Sequence, residues 1–281
     1  MGKNSKISWT HHTLNIAWGC TKVSPGCDHC YAEAFAKRAG SLVWGKDEPR
    51  RTFGVKHWLE PHAWDRNAGR AGERHRVFCG SMCDVMEDRV ELAPERQSLY
   101  RLIPDTLNLD WLLLTKRPQN FRKMLPPEWL ERPQPNVWLM TTVERADYLW
   151  RADVLRGVPA VVRGLSLEPL LGPLPELHKH LDGIHWVIVG GESGPKARSC
   201  DLAWIRDIVS QCREAGVAVF VKQLGARSLI ERERWHNDQA IRAVDEKEGP
   251  RVRLLLRDRA GADMAEWPKD LRIQEIPEAR P

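Results

Sequence analysis

Short apolar runs separated by longer amphipathic stretches recur along the chain. Residues 13–18, 76–80, 111–115, 137–143, 160–167, 186–189 and 217–222 are each rich in Val, Ile, Leu or Trp and bounded by polar residues, Gly or Pro. Runs of this length and composition predict seven buried strands. Between them, helical spacing predicts helices over residues 30–39, 94–108, 117–125, 145–156 and 202–215. In the last of these Ile205, Ile208, Val209 and Cys212 share one face and Asp201 stands at the capping position. Strand and helix in alternation give parallel pairing through right-handed crossovers, so the fold is α/β, either a doubly wound sheet or a full or partial TIM-like (β/α) barrel.

The strand ends favour the barrel. Cys20 follows the first strand, Ser81 and Asp84 the second, Thr115 and Lys116 the third, and Glu144 the fourth. Ser166 and Glu168 follow the fifth, Gly190, Gly191, Glu192 and Ser193 the sixth, and Lys222 with Gln223 the seventh. Barrels assemble their active sites on that face, whereas one polar residue at one strand end only marks where a strand meets solvent. From residue 225 the pattern breaks into charged, irregular sequence with one apolar run at 252–256 and a closing Trp267-Pro268. The expected organisation is a barrel over 1–224 and a C-terminal extension over 225–281 packed on it, with no internal repeat.

The 281 residues, 42% hydrophobic and 29% charged, suit a globular enzyme-sized chain and exclude a disordered or collagen-like one. No apolar run approaches the roughly 18 residues of a membrane span, and the polar start lacks an apolar leader. A cytoplasmic protein without membrane attachment is the expectation. The net charge of +5 favours anionic partners but is small for the length. Thirteen tryptophans, with Arg66, Arg70, Arg74 and Arg76 among them, would suit base stacking and phosphate contact, or a tryptophan-rich core.

Seven cysteines are an odd number, and three fall within eleven positions, which points to metal binding by reduced thiols rather than to a disulfide framework. Cys20, Cys27 and Cys30 are spaced C-x6-C-x2-C, with Pro25-Gly26 forcing a turn between the first two. The close pair can grip one metal centre and the turn can return Cys20 to it. Zinc would need a fourth ligand, for which His11, His12 and His29 are near in sequence. Three thiolates on a four-iron cubane would leave one iron open to a small molecule. The spacing alone does not choose between them.

The runs 7–10, 19–33, 77–84, 115–118, 166–173 and 186–194, with Lys222-Gln223 and the closing segments 263–268 and 270–272, resemble the phage-associated three-Cys-motif proteins of unknown function. Those proteins are in turn similar to radical-SAM enzymes. The resemblance implies a radical-SAM-type barrel whose Cys20, Cys27 and Cys30 hold a [4Fe-4S] cluster. It also implies reductive cleavage of S-adenosyl-L-methionine, acting to modify or repair an anionic, nucleic-acid or nucleotide substrate. An electron donor, and a protein encoded by a neighbouring gene, are the implied partners. The usual radical-SAM spacing is C-x3-C-x2-C, three residues shorter in its first gap, and His11-His12, Ile16, Cys83 and residues 140–142 differ from the family's usual residues.

Under this reading His29 stacks on adenine, Gly190, Gly191, Glu192 and Ser193 receive the methionine or ribose end, and Asp84 takes a hydroxyl; the alternatives are a loop histidine in water, a tight structural turn, and a cap on the turn after Asp84. Glu144 and Glu168 either meet a ligand or pair with Lys116, Arg117, Arg163 or Lys222, because an unpaired buried carboxylate is costly. Ser81, Thr115, Ser166, Lys222 and Gln223 complete the cofactor-binding candidates. The competing readings are a zinc-stabilised nucleic-acid-binding protein without catalysis, and an iron–sulfur cluster that only senses or supports structure.

Overall fold

The structure, a computed structural model, describes residues 5–237, 242–244 and 250–278. The described chain forms two compact units, one of residues up to 141 with 154–163, the other of 142–153 with 164–278. Seven strands follow one another in sheet order β1 (His12–Leu14), β2 (His75–Cys79), β3 (Leu109–Thr115), β4 (Val137–Thr142), β5 (Val162–Leu167), β6 (Trp186–Gly190) and β8 (Ala218–Gln223). The α/β fold with a parallel sheet expected from the alternation is present.

In the first unit β1 to β4 pair in parallel, with His12 opposite Val77, Val77 opposite Trp111 and Trp111 opposite Val137. β1 is shorter than the apolar run 13–18 because the chain turns out of the ladder at Asn15. Its side chain accepts from Met82 N at 2.7 Å and donates to Ser81 Oγ at 2.9 Å. Trp18 then bridges Arg51 in antiparallel sense. The helices of this unit include α1 (Tyr31–Arg38), α2 (Val55–Ala71), α3 (Ala93–Leu102), α4 (Phe121–Met124) and α5 (Pro127–Glu131). The run 117–125 yields only the short α4, preceded by a 3-10 turn at Pro118–Asn120.

The sequence reading missed α2, the longest of these. Pro61 lies inside it, which normally argues against a helix interior, and only Pro61, Trp64 and Ala68 are buried along its 17 residues. Gly72 ends it in the left-handed region at φ 66°.

The helix α6 (Trp150–Arg156) precedes β5 in the chain. In the second unit β5, β6 and β8 pair in parallel, and α7 (Leu202–Glu214) is capped by Asp201, which accepts from Ala203 N at 2.9 Å. A smaller sheet runs β10 (Ala243–Val244), β11 (Arg251–Leu254), β9 (Ser228–Glu231), β7 (Cys200–Asp201). Residues beyond 224 thus pair with a strand that precedes α7. The last described segment returns along β8, with Val221 N donating to Ile273 O at 2.8 Å and Glu275 N to Val219 O at 3.0 Å, so the β8 edge is covered.

Trp9, Trp18, Trp64, Trp111, Trp129, Trp138, Trp186 and Trp267, eight of the thirteen, are buried, so the tryptophans serve mainly as core. Arg74 pairs with Asp110 at 2.5 Å and Arg76 donates to Trp9 O at 2.8 Å, while Arg66 and Arg70 are exposed on α2.

Candidate functional site

The cysteine loop of the first unit is fastened at both ends to one segment, residues 81–83. At its start Gly19 N donates to Met82 O at 3.0 Å, and at its end the Tyr31 hydroxyl donates to Ser81 O at 2.9 Å. Gly19 has φ 115°, and a Cβ there would stand 2.2 Å from Val43 O, so this entry to the loop requires glycine. Inside the loop Pro25–Cys27 form a 3-10 turn, closed by Cys27 N donating to Ser24 O at 2.9 Å. This is the turn that Pro25-Gly26 predicts.

Cys20, Cys27 and Cys30 are all free and partly buried. Cys30 stands at the start of α1. Burial pushes its thiol up, opposed by the nearby backbone N–H groups of Glu33 and Ala32 at the start of α1 and by the charge of Lys116. Burial likewise pushes the Cys20 thiol up, with Asp84 adding to the effect and Arg117 opposing it. His29 is exposed on the same loop.

Behind Cys20 lies a buried ionic network that the sequence reading did not assemble. Asp84 Oδ1 accepts from Thr115 Oγ1 at 2.6 Å and Met86 N at 3.0 Å, and Oδ2 from Arg117 Nη1 at 2.7 Å and Lys116 N at 3.1 Å. Arg117 Nη2 donates to Thr21 O at 2.7 Å, and its Nη1 lies 3.9 Å from Cys20 Sγ. Glu87 accepts from Thr21 N at 3.0 Å and takes a two-pronged contact from Arg50 at 2.8 and 2.9 Å. Thr115 is also used twice, since its hydroxyl accepts from Arg117 N at 2.8 Å. Four donors occupy the Asp84 carboxylate, the acceptor capacity such a group has. The Asp84 and Thr115 of the sequence reading are brought together here, and Ser81 is joined to Asn15.

In the second unit the strand-end residues form separate contacts. Glu144 pairs with Arg151 at 3.0 Å with both side chains buried, and among the described residues Glu144 Oε1 has no hydrogen-bond partner. Arg151 was not among the partners expected for it. Glu168 pairs with Lys222 at 2.9 Å. Glu192 is gripped by Arg198, whose Nη2 and Nε donate at 2.6 and 3.0 Å and whose backbone N donates at 2.8 Å.

The Gly190-Gly191 pair has a packing cause. A Cβ on Gly191 would lie 2.3 Å from Leu224 O, and one on Gly190 would lie 2.8 Å from Glu168 Oε1. Gln223 Nε2 donates to Gly191 O at 2.7 Å, Ser166 is buried with its carbonyl accepting from Val143 N at 3.0 Å, and Ser193 is exposed.

Among the described residues no three His, Cys, Asp or Glu side chains meet in a group that would hold a single metal ion. The convergence of all three thiols on one ion, which the spacing permits, is not realised. A cubane places its thiolates on separate irons, so its ligands need not meet at one point. The donor set present, three free thiols on one pinned loop with an arginine against the first, fits that group in its chemistry.

Residues 4–251 match the family described as protein of unknown function, DUF5131. The chain belongs to that family. No protein of curated function matches it. Among solved structures it is similar to a spore photoproduct lyase with a cysteine replaced by serine, at 14% identity and a TM-score of 0.51, covering 92% of this chain and 72% of that one. A second mutant of the lyase, with bound AdoMet and dinucleoside spore photoproduct, matches at the same identity, coverage and TM-score. This likeness shows the fold alone, a parallel α/β partial barrel shared with the lyase. Among the described residues no helix is long and apolar enough to cross a membrane.

Proposed function

We propose that this protein is a radical-SAM-type iron–sulfur enzyme that modifies or repairs a nucleotide-containing substrate. The observation that carries the reading is the pinned loop with its three free thiols, C-x6-C-x2-C, following the first strand of this fold. Cys20, Cys27 and Cys30 would hold a [4Fe-4S] cluster. When bound, that group supplies the electron for reductive cleavage of S-adenosylmethionine.

The chain's own part is to bind and orient. Asp84, Thr115 and Ser81 act as framework, because their polar atoms are engaged inside the protein. The same holds for Glu192, held by Arg198, and for Gln223 with Gly190 and Gly191, whose close packing fixes a strand end. Direct cofactor contact falls to exposed His29 beside Cys30, while in the second unit Glu168 is engaged by Lys222 and Glu144 by Arg151. The nucleotide substrate is favoured by the solved lyase, which binds a dinucleoside photoproduct, and by the positive net charge. An electron donor and a protein encoded by a neighbouring gene complete the set of proposed partners.

Anaerobic reconstitution should give a brown protein with about four irons and four sulfides per chain, releasing deoxyadenosine from S-adenosylmethionine under dithionite. A colourless protein with tightly held zinc would refute the reading in favour of a zinc-stabilised one. A stable cluster that yields no deoxyadenosine would leave only a sensing or structural role.

A further inference from the structure

The segment Thr115-Lys116-Arg117-Pro118 leaves β3 directly, and the Arg117 side chain is turned toward the cysteine loop. The Arg117 guanidinium reaches Cys20 itself. One planar fork spans three groups: Asp84 Oδ2 at 2.7 Å, Thr21 O at 2.7 Å and Cys20 Sγ at 3.9 Å. Arg117 is thus tied to the carboxylate behind the loop and to the carbonyl of the residue after Cys20, and its donor faces the sulfur between them. A lysine offers a single point charge and cannot bridge such a set.

The charge balance gives the arrangement a purpose. Arg50 and Arg117 are matched by Glu87 and Asp84 in the network, so the network is neutral while Cys20 is a thiol. A Cys20 thiolate adds one negative charge in a place poor in water, and Arg117 is the cation in contact with it. Hydrogen bonds and charges at the sulfur ligands are among the terms that set an iron–sulfur potential.

We propose that Arg117 is a positioning residue: it fixes Cys20 as a cluster ligand and, by offsetting the thiolate charge, raises the reduction potential of the cluster. This rests on the iron–sulfur reading above. The test compares wild type, Arg117→Gln and Asp84→Asn as reconstituted full-length proteins, by iron content and by redox titration followed with electron paramagnetic resonance.

With Arg117 replaced by glutamine, Asp84 is left unpaired beside the sulfur. The cluster should become at least tenfold harder to reduce, a midpoint lower by about 59 mV or more for a one-electron couple. With Asp84 replaced by asparagine, the Arg117 charge is left to the sulfur and the midpoint should rise. A purely structural role would not shift the two in opposite directions. An Arg117→Gln protein with wild-type iron content and midpoint overturns the inference while leaving the cluster reading intact. Should that variant not fold or load, Asp84→Asn decides, and an unchanged or lowered midpoint overturns the inference. A wild type that takes up no iron refutes the reading and the inference together.

Discussion

Replacing Arg50 by methionine tests how much the fold leans on the network behind the cysteine loop. Arg50 is fully enclosed, its side chain 0% exposed against 4% for Glu87. It donates from Nε and Nη2 to the two Glu87 oxygens at 2.9 and 2.8 Å. It also donates to the carbonyls of Val43, Gly45 and Glu48 and to Thr21 Oγ1, at 2.8 to 3.1 Å. Methionine keeps most of the apolar stem but supplies none of these hydrogens. Glu87 would retain Thr21 N at 3.0 Å and the more distant Arg117 at 3.8 Å, with its charge still buried.

Breaking one side of a buried pair costs about 3–5 kcal/mol, which for a chain of this size lowers the melting temperature by roughly 6–20 °C. The double variant Arg50→Met with Glu87→Leu removes both charges and should recover a large share of that loss, because the stranded carboxylate is the main penalty. Urea unfolding of metal-free protein followed by circular dichroism compares wild type with the single and the double variant. A single-variant loss under about 1 kcal/mol, the range of exposed pairs, would refute the claim that this network is a buried structural element. The pH dependence gives a second check. Burial acts to raise the Glu87 carboxyl, but hydrogen bonds from Arg50 and Thr21 prevail and hold it below the ordinary carboxylate range. Its contribution is therefore complete above the unfolded value of about 4.3 and is lost as pH falls below it. In Arg50→Met that acid-side loss should shrink.

Alanine at Cys20, Cys27 or Cys30 should each abolish reconstituted iron and deoxyadenosine formation. Alanine at Cys83, a buried thiol pushed up to about 12 by burial, should leave the iron content unchanged as read by colorimetric assay. Gly191→Ala puts a Cβ 2.3 Å from Leu224 O and should destabilise by about 1–3 kcal/mol, read as an earlier urea midpoint. His11 accepts from Arg76 N at 2.8 Å, and burial, with the charges of Arg76 and His75, lowers it to about 4. The unfolded chain then takes up the proton first, so stability should fall as pH drops from about 6.5 toward 4, and His11→Gln should flatten that slope in melts across the range.

The parallel α/β architecture was legible because its strands are buried on both faces and appear as continuous apolar runs, as in Leu109–Thr115 with its buried Trp111, Leu112 and Leu113. The helix α7 was legible down to its Asp201 cap. The helix α2 was not, since a proline stands within it and its buried face is three residues wide. At the candidate site the loop could be picked out by its thiol spacing alone. Its support could not: Arg50, Glu87 and Arg117 are 37 and 30 positions apart in sequence and meet only through tertiary packing. Asp84 showed the same limit. Its place after a strand suggested a ligand contact or a cap on the turn that follows; Met86 N supplies the local turn contact, whereas the other three donors come from Thr115, Lys116 and Arg117, which the fold brings beside it.

A buried ionic network is a poor choice for stability alone, because well-packed apolar side chains of similar volume do as well or better. What apolar packing does not supply is a direction for a backbone carbonyl. Here Arg117 and Glu87 take the carbonyl and the amide of the same residue, Thr21, at 2.7 and 3.0 Å, and Gly19 N is fixed to Met82 O at 3.0 Å. Cys20 stands between two residues whose backbones are each hydrogen-bonded to buried parts of the unit. Its Cα therefore has little freedom, while Cys27, seven residues on, is set by a local 3-10 turn and Cys30 by the start of α1. Three thiols are thus placed by three independent devices, an ionic clamp, a turn and the start of a helix. Loss of any one device should displace one ligand without unfolding the others.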